Sequence, residues 1–118
     1  MGKQFGPYIR DQREKLLLGD KKYSLRQVAE RIGVEPSYLS KVERGEQPPP
    51  SEAKIILLAK ELELDADVLL ALAGKISNDL QEVIIRRPQL FAELIRELKN
   101  IPDHAVLSLV REVKDGEW

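Results

Sequence analysis

Few residues of this 118-residue chain have the types and spacing that enzymes use for chemistry. The chain has no cysteine and a single histidine, His104, so it offers no thiol nucleophile and no set of nitrogen and sulfur ligands for zinc. Two carboxylate pairs, Glu61 with Glu63 and Asp65 with Asp67, are spaced two residues apart, and side chains at that spacing diverge around a helix. We therefore expect no enzymatic activity, no bound metal and no cofactor.

The remaining chemistry is that of basic and hydroxyl side chains. Residues 1–46 contain ten Lys or Arg against seven Asp or Glu, a net charge of +3, and the rest of the chain has a net charge of −4. This small bias places positive charge in the amino-terminal part, where phosphate could bind, and leaves the remainder acidic. Nucleic acid is therefore a candidate partner of the amino-terminal part only.

The hydrophobic periodicity predicts an all-α protein, because no alternating run is long enough for a strand. The first helix is predicted over residues 6–18 and ends at Gly19. The charged segment that follows, residues 19–22, is predicted to be a flexible loop.

The most informative stretch begins at Ser24 and describes two short helices joined by a tight turn. Ser24 is a favourable N-cap for the first of them, and Gly33 provides the backbone freedom with which this helix stops. Ala29 allows the two helices to cross closely because its side chain is small. Pro36 begins the second helix, which ends at Gly45. The residues that then point outward are Ser37, Tyr38, Lys41 and Arg44. A helix anchored in this way fits the major groove of DNA.

Two more helices complete an amino-terminal domain. Ser51 is a favourable N-cap for the fourth helix, and Asp65 or Asp67 starts a fifth helix that ends at Gly74. The five helices together are predicted to form one domain over residues 1–74.

The motif in the central stretch is apolar-Ala-x-x-x-Gly-Val-x-x-x-x-apolar-Ser-x-x-Glu-x-Gly. It is found here as Val28-Ala29, Gly33-Val34, Leu39-Ser40 and Glu43-Arg44-Gly45. At these residues the chain resembles the phage-repressor and Cro-like helix-turn-helix family, also called XRE. The five-helix domain of that family matches residues 5–74. The resemblance implies a sequence-specific, DNA-binding transcriptional regulator.

The same resemblance implies that the third helix reads DNA bases. The positions that it places in the groove are Pro36, Ser37, Tyr38 and Lys41. Lys41 is the best candidate for base reading, because lysine and arginine bind the O6 and N7 acceptors of guanine in the major groove. Tyr38 is expected to touch a thymine methyl group or to donate its hydroxyl to phosphate. Pro36 departs from the family by replacing a side chain that could contact a base, so we expect few direct base contacts.

The resemblance also implies phosphate contacts near the start of the second helix and after the third. The candidate residues are Ser24, Leu25, Arg26 and Arg44. Leu25 departs from the family, in which a glutamine at this position often contacts DNA. The family further implies a structural ion pair between Arg13 of the first helix and Glu43 at the end of the third.

Each of three candidate contacts has a plain structural alternative. Lys41 could be a solvated lysine, and Tyr38 could be a half-buried packing residue. Arg26 could pair with Glu30, four residues later on the same helix.

Residues 75–118 are predicted to form three further helices, over residues 77–87, 88–100 and 103–115. These segments contain too many apolar residues for an unpacked tail. A single helix-turn-helix unit covers about half an operator, so tight and specific binding usually needs two copies. We predict that this region dimerises the chain; the alternative is that it only extends the core of the monomer.

The combined prediction is a dimeric transcriptional repressor that binds an inverted-repeat operator in double-stranded DNA. Two alternatives stay open, an antitoxin that represses its own operon and a helical protein-protein adaptor. A looser resemblance, over Pro50 to Gly74 and the helix pair around Pro88, is to regulators of prophages and mobile elements, some of which are paired with a zinc metalloprotease. A regulatory metalloprotease and a toxin are therefore candidate protein partners.

The first twenty residues contain no uninterrupted apolar run of the length of a signal peptide or a membrane span. The absence of cysteine fits a reducing compartment. We therefore expect a cytoplasmic protein that does not contact a membrane.

Overall fold

The computed structural model of this chain describes residues 4–118. Within this range the protein is all-α, which confirms the predicted fold class, and no residue lies in a strand. The helices are α1 (Phe5–Gly19), α2 (Leu25–Ile32), α3 (Pro36–Glu43), α4 (Glu52–Glu61), α5 (Ala66–Leu72), α6 (Asn78–Arg86), α7 (Pro88–Leu98) and α8 (Asp103–Asp115). They form two compact units that divide between Ser77 and Asn78, three residues after the predicted domain boundary.

The core of the first unit is built by α1 to α5. Its buried apolar side chains are Phe5, Ile9, Val28, Ala29, Ile32, Leu39, Val42, Ile55, Leu58, Ala59, Leu62, Leu69 and Leu70. Leu39 and Val42 bury the inner side of α3, because they are three residues apart and lie on one face of the helix. The opposite side of α3 is left at the surface.

The segment after α1 differs from its prediction. Residues 19–22 were expected to form a flexible loop, but the chain forms a short 3-10 helix over Lys21–Tyr23. The Asp20 carboxylate accepts a hydrogen bond from the backbone N–H of Lys22 at 2.9 Å, and Tyr23 packs against the core. The cap and the packed ring together stabilise a connection whose composition alone suggests mobility.

The turn between α2 and α3 has the form that its sequence predicts. The Ser24 hydroxyl caps α2 by accepting from the backbone N–H of Gln27 at 3.3 Å. Gly33 has a φ of 78°, in the left-handed region, and the backbone N–H of Val34 donates to the carbonyl of Ala29 at 3.0 Å. This pair of features is a glycine C-cap, which ends α2 and turns the chain into α3.

The fourth and fifth helices have side-chain N-caps, as α2 does. The Ser51 hydroxyl accepts from the backbone N–H of Lys54, and the Asp65 carboxylate accepts from the backbone N–H of Asp67 at 2.8 Å. Asp65, not Asp67, is thus the N-cap of α5. Between these helices Glu63 has a φ of 58°, a left-handed conformation that an L side chain rarely adopts.

The second unit contains α6, α7 and α8. Helix α6 is one residue shorter at each end than predicted, α7 ends two residues early at Leu98, and α8 has the predicted bounds. Residues 78–118 include no buried residue, although each of the three helices has apolar side chains. The apolar surface of this unit is therefore covered only in part by its own helices.

No helix in residues 4–118 is long and apolar enough to cross a membrane. The same residues contain no group of three or more His, Cys, Asp or Glu side chains that could hold a metal ion.

Candidate nucleic-acid interface

A buried ion pair connects α1 to the end of α3. The Arg13 guanidinium donates to both carboxylate oxygens of Glu43, at 2.7 and 2.9 Å, and the two side chains are only 8% and 5% exposed. The same guanidinium donates to the backbone carbonyl of Tyr23 at 3.2 Å. Because a bidentate contact fixes both the distance and the orientation of the two side chains, this pair holds the carboxy-terminal end of α3 in place.

Close backbone packing joins α1 and α3 at a second point. Gly6 is buried, and a Cβ atom added to it would lie inside the van der Waals radii of the carbonyl oxygens of Val42 and Glu43. Only glycine permits this approach without a backbone shift. The end of α3 is therefore held by a charge pair and by direct contact of backbones.

Lys54 of α4 holds the carboxy-terminal end of α2, where the turn into α3 begins. Sequence analysis did not predict this role. The Lys54 ammonium donates to the carbonyl of Ile32 at 2.8 Å and lies 3.4 Å from the carbonyl oxygen of Gly33. These carbonyls belong to the carboxy-terminal end of α2. The last carbonyl groups of a helix have no partner within the helix, and they and the helix dipole favour a cation there. A lysine 22 residues away from Ile32 in sequence can be assigned to this end only once α4 is placed.

The exposed face of α3 has two polar side chains that point to solvent. Ser37 and Lys41 are exposed and lie four residues apart, so they share one face of the helix. Lys41 makes no side-chain hydrogen bond or ion pair with any of residues 4–118. Its ammonium is thus available for an external acceptor.

Pro36 and Tyr38, the other two predicted base-reading residues, are half-buried. Pro36 is in the first turn of α3, where a missing N–H costs nothing. Tyr38 packs against the hydrophobic core, as its structural alternative supposes, while part of its surface stays accessible. Of the four predicted base-reading residues, only Ser37 and Lys41 are therefore exposed.

The predicted phosphate contacts at the start of α2 differ in their surroundings. Ser24 is the N-cap, and Leu25 is half-buried against the core. Arg26 is exposed, and within residues 4–118 its side chain makes no ion pair with Glu30 or any other residue. Only Arg26 of these three thus offers a free positive charge.

Arg44, the fourth predicted phosphate contact, has two partners that the sequence reading did not anticipate. Its Nε donates to the Glu46 carboxylate, and its Nη1 donates to the Ser40 hydroxyl at 2.7 Å. Both Arg44 and Glu46 are about half exposed. Two of the five N–H donors of Arg44 are thus used within the protein, and the Glu46 carboxylate offsets its positive charge.

A shallow depression of about 190 Å³ lies where α1, α2 and α3 meet. It is lined by Arg10, Arg13, Leu25, Ser40, Glu43 and Arg44. Arg10 is exposed and pairs with Glu14 on its own helix, at 2.9 Å. The sequence reading overlooked Arg10, because its distance from Arg44 follows from the crossing of α1 over α3. The depression has the positive charge and the concave shape that suit a phosphate group.

Comparison with known proteins identifies the family to which the amino-terminal unit is similar. A family model described as helix-turn-helix matches residues 9–69, just over half of the chain. Two proteins of Mycobacterium tuberculosis, from strains CDC 1551 / Oshkosh and ATCC 25618 / H37Rv, are each 44% identical to it over 69 residues. Both are named uncharacterized HTH-type transcriptional regulators. No solved structure matched the chain.

The aligned segment covers 58% of this chain and 45% of each mycobacterial relative, so the likeness is to less than half of those proteins. The family match spans α2, α3 and the turn between them, which are the elements that present Ser37 and Lys41. The chain therefore belongs to the XRE, or Cro/repressor-type, helix-turn-helix family of DNA-binding transcriptional regulators.

Proposed function

We propose that this protein is a dimeric repressor that binds an inverted-repeat operator with α3 in the major groove. The observation that supports this most directly is the outer face of α3, where Ser37 and Lys41 are exposed while Leu39 and Val42 are buried. Lys41 reads a guanine through its O6 and N7 acceptors, and Ser37 donates to a neighbouring base or phosphate. Pro36 and Tyr38 add apolar contacts at the start of the helix.

Phosphate binding is proposed for the residues that flank α3. Arg26 and Arg44 bind phosphates of the DNA backbone, and Arg10 of α1 adds a third arginine to these contacts. Ser24 and Leu25 lie at the amino-terminal end of α2, which faces the same phosphates. A helix amino terminus favours an anion because its first N–H groups have no partner within the helix. These contacts fix the orientation of α3 and do not distinguish sequences.

The dimer is proposed to form through residues 78–118. These helices leave large apolar side chains at the surface, which a second copy would cover. The exposed apolar residues of these helices are Leu80, Val83, Ile85, Leu90, Leu94, Ile95, Leu107, Val110 and Val113. A dimer places two copies of α3 about 34 Å apart, one turn of DNA, and so doubles the bases that are read.

Selection of bound duplexes from a random DNA pool tests the proposal. The expected product is an inverted repeat whose half-sites are separated by about one helical turn. Enrichment of a single half-site without a repeat would contradict the dimeric arrangement. Failure to retain any duplex at low ionic strength would contradict DNA binding itself and favour the adaptor alternative.

A reporter gene tests the mode of regulation. With the selected operator placed across a promoter, the protein should lower transcription, because a bound dimer excludes polymerase. Higher transcription would identify an activator instead. The reporter should respond to the intact operator and not to one with both half-sites scrambled.

A further inference from the structure

Helix α8 has an apolar stripe that is exposed at the surface. Leu107 and Val110 are 55% and 53% exposed. Asp103 precedes Leu107 by four residues and Lys114 follows Val110 by four, so that the four side chains have the 4-3-4 spacing of one helix face. The stripe is therefore apolar at its centre, with one charge at each end.

The two charges have opposite signs and no partner in the described structure. Asp103 lies in the first turn of α8 and Lys114 in the last. Neither side chain makes an ion pair or a hydrogen bond with any of residues 4–118. Both are exposed and can meet charges on another molecule.

The order of these residues is self-complementary. A two-fold axis through the middle of α8, between Ser108 and Leu109, brings residue 103 of one copy opposite residue 114 of the other. The same axis brings residue 107 opposite residue 110. Antiparallel pairing therefore covers the apolar centre with its own copy and forms the Asp103–Lys114 contact twice, as in a closed two-fold interface.

We propose that α8 pairs antiparallel with α8 of a second copy, with two ion pairs between Asp103 and Lys114 setting the register. This inference rests on the proposed dimer and deepens it, because it names the helix, its direction and its charge contacts. A parallel pairing would place Asp103 against Asp103 and Lys114 against Lys114, and like charges in contact disfavour such an arrangement. The occupant of the stripe is accordingly a second copy of this chain.

Charge reversal on the full-length chain tests the register. Asp103→Lys leaves two lysines on the stripe, and Lys114→Asp leaves two aspartates. Each variant alone should dimerise at least tenfold more weakly than the unchanged protein in sedimentation equilibrium, because both contacts become repulsive. An equimolar mixture of the two variants should form a heterodimer to within about threefold of the original affinity, since every contact is then attractive.

The mixture separates interhelix pairing from effects within the helix. Asp103 and Lys114 also suit the dipole of α8, so each reversal weakens the helix itself, but that loss would remain in the mixture. Glu112→Lys is the matched control, because residue 112 lies on the opposite side of α8 from the stripe and its charge changes by the same amount. This variant should dimerise like the unchanged protein.

Two results would overturn the inference in different ways. If the unchanged chain dimerises but the mixture gains nothing over the single variants, the register is wrong and the proposed dimer stands. If the unchanged chain stays monomeric at about 100 μM, both the register and the proposed dimer fail, and the stripe belongs to a different partner.

Discussion

Arg13 and Glu43 are thirty residues apart in sequence, and their buried side chains meet through two hydrogen bonds of 2.7 and 2.9 Å. This contact lies directly behind the exposed face of α3. The orientation of α3, the helix that is proposed to enter the groove, is thus fixed by a buried pair of charges. A residue in this position affects DNA binding through the stability and placement of α3.

Removal of one partner of this pair should destabilise the fold strongly. Arg13→Met leaves the Glu43 carboxylate buried without its cation, and the expected loss is about 3 to 5 kcal/mol of unfolding free energy in urea denaturation. The double variant Arg13→Met with Glu43→Leu should lose much less, because no charge is left unpaired. Glu14→Gln, which breaks the exposed pair with Arg10, is the control and should change stability little. Equal losses for the single and the double variant would contradict this role.

The approach of α1 to α3 predicts a strict need for glycine at position 6. Gly6→Ala places a Cβ atom 2.6 Å from the backbone oxygen of Glu43 and still closer to that of Val42. We expect a loss of roughly 2 kcal/mol in thermal or urea unfolding, because neither backbone can move freely. At Gly19, by contrast, an added Cβ atom meets nothing within 4 Å, so Gly19→Ala should be neutral or stabilising. A neutral Gly6→Ala variant would show that the helices are more loosely packed.

The left-handed conformation of Glu63 predicts a stabilising substitution. Glu63→Gly removes the conflict between the side chain and a φ of 58°, and should raise the free energy of unfolding by about 0.5 to 1 kcal/mol. Glu63→Ala removes the carboxylate but keeps a Cβ atom, so it should bring no comparable gain. If both variants gain equally, charge and not backbone conformation explains the effect.

The contact between Arg44 and Glu46 predicts that Glu46 limits DNA affinity. Glu46→Gln frees the Arg44 guanidinium and removes a negative charge near the proposed interface. Affinity for random-sequence duplex at 0.1 M salt should rise about three- to tenfold, and the plot of log affinity against log salt should steepen by about one unit. In the background of Arg44→Ala the same substitution should have a clearly smaller effect, because only the general loss of negative charge remains. An equal gain in both backgrounds would mean that Glu46 acts only by general repulsion.

Much of the fold follows from local signals in the sequence. Ser24 and Ser51 cap the helices that they were predicted to start, and Gly33 ends α2 in the left-handed conformation. Of the two candidates for the start of α5, Asp65 and Asp67, Asp65 is the N-cap. Such signals act within a few residues, and sequence alone can reveal them. The 3-10 helix over Lys21–Tyr23 was missed, because it depends on the packing of Tyr23 against the core.

The site was less accessible from sequence, because its geometry depends on contacts between distant segments. Lys54 at the end of α2 and Arg10 beside Arg44 are brought there by the crossing of helices. The contact between Arg44 and Glu46 is local, but the sequence shows two charges and not which partner each will take. The DNA contacts of Ser37 and Lys41 stay predictions until binding is measured.

Binding of the Lys41→Ala variant to the selected operator and to random duplex, compared with the unchanged protein, tests the central claim most directly. Loss of a base contact in the major groove should weaken operator binding by about 1 to 3 kcal/mol and relax selection at one base pair, while binding to random DNA changes little. Equal losses on both DNAs would make Lys41 a phosphate contact. No loss on either would contradict the placement of this face of α3 against DNA.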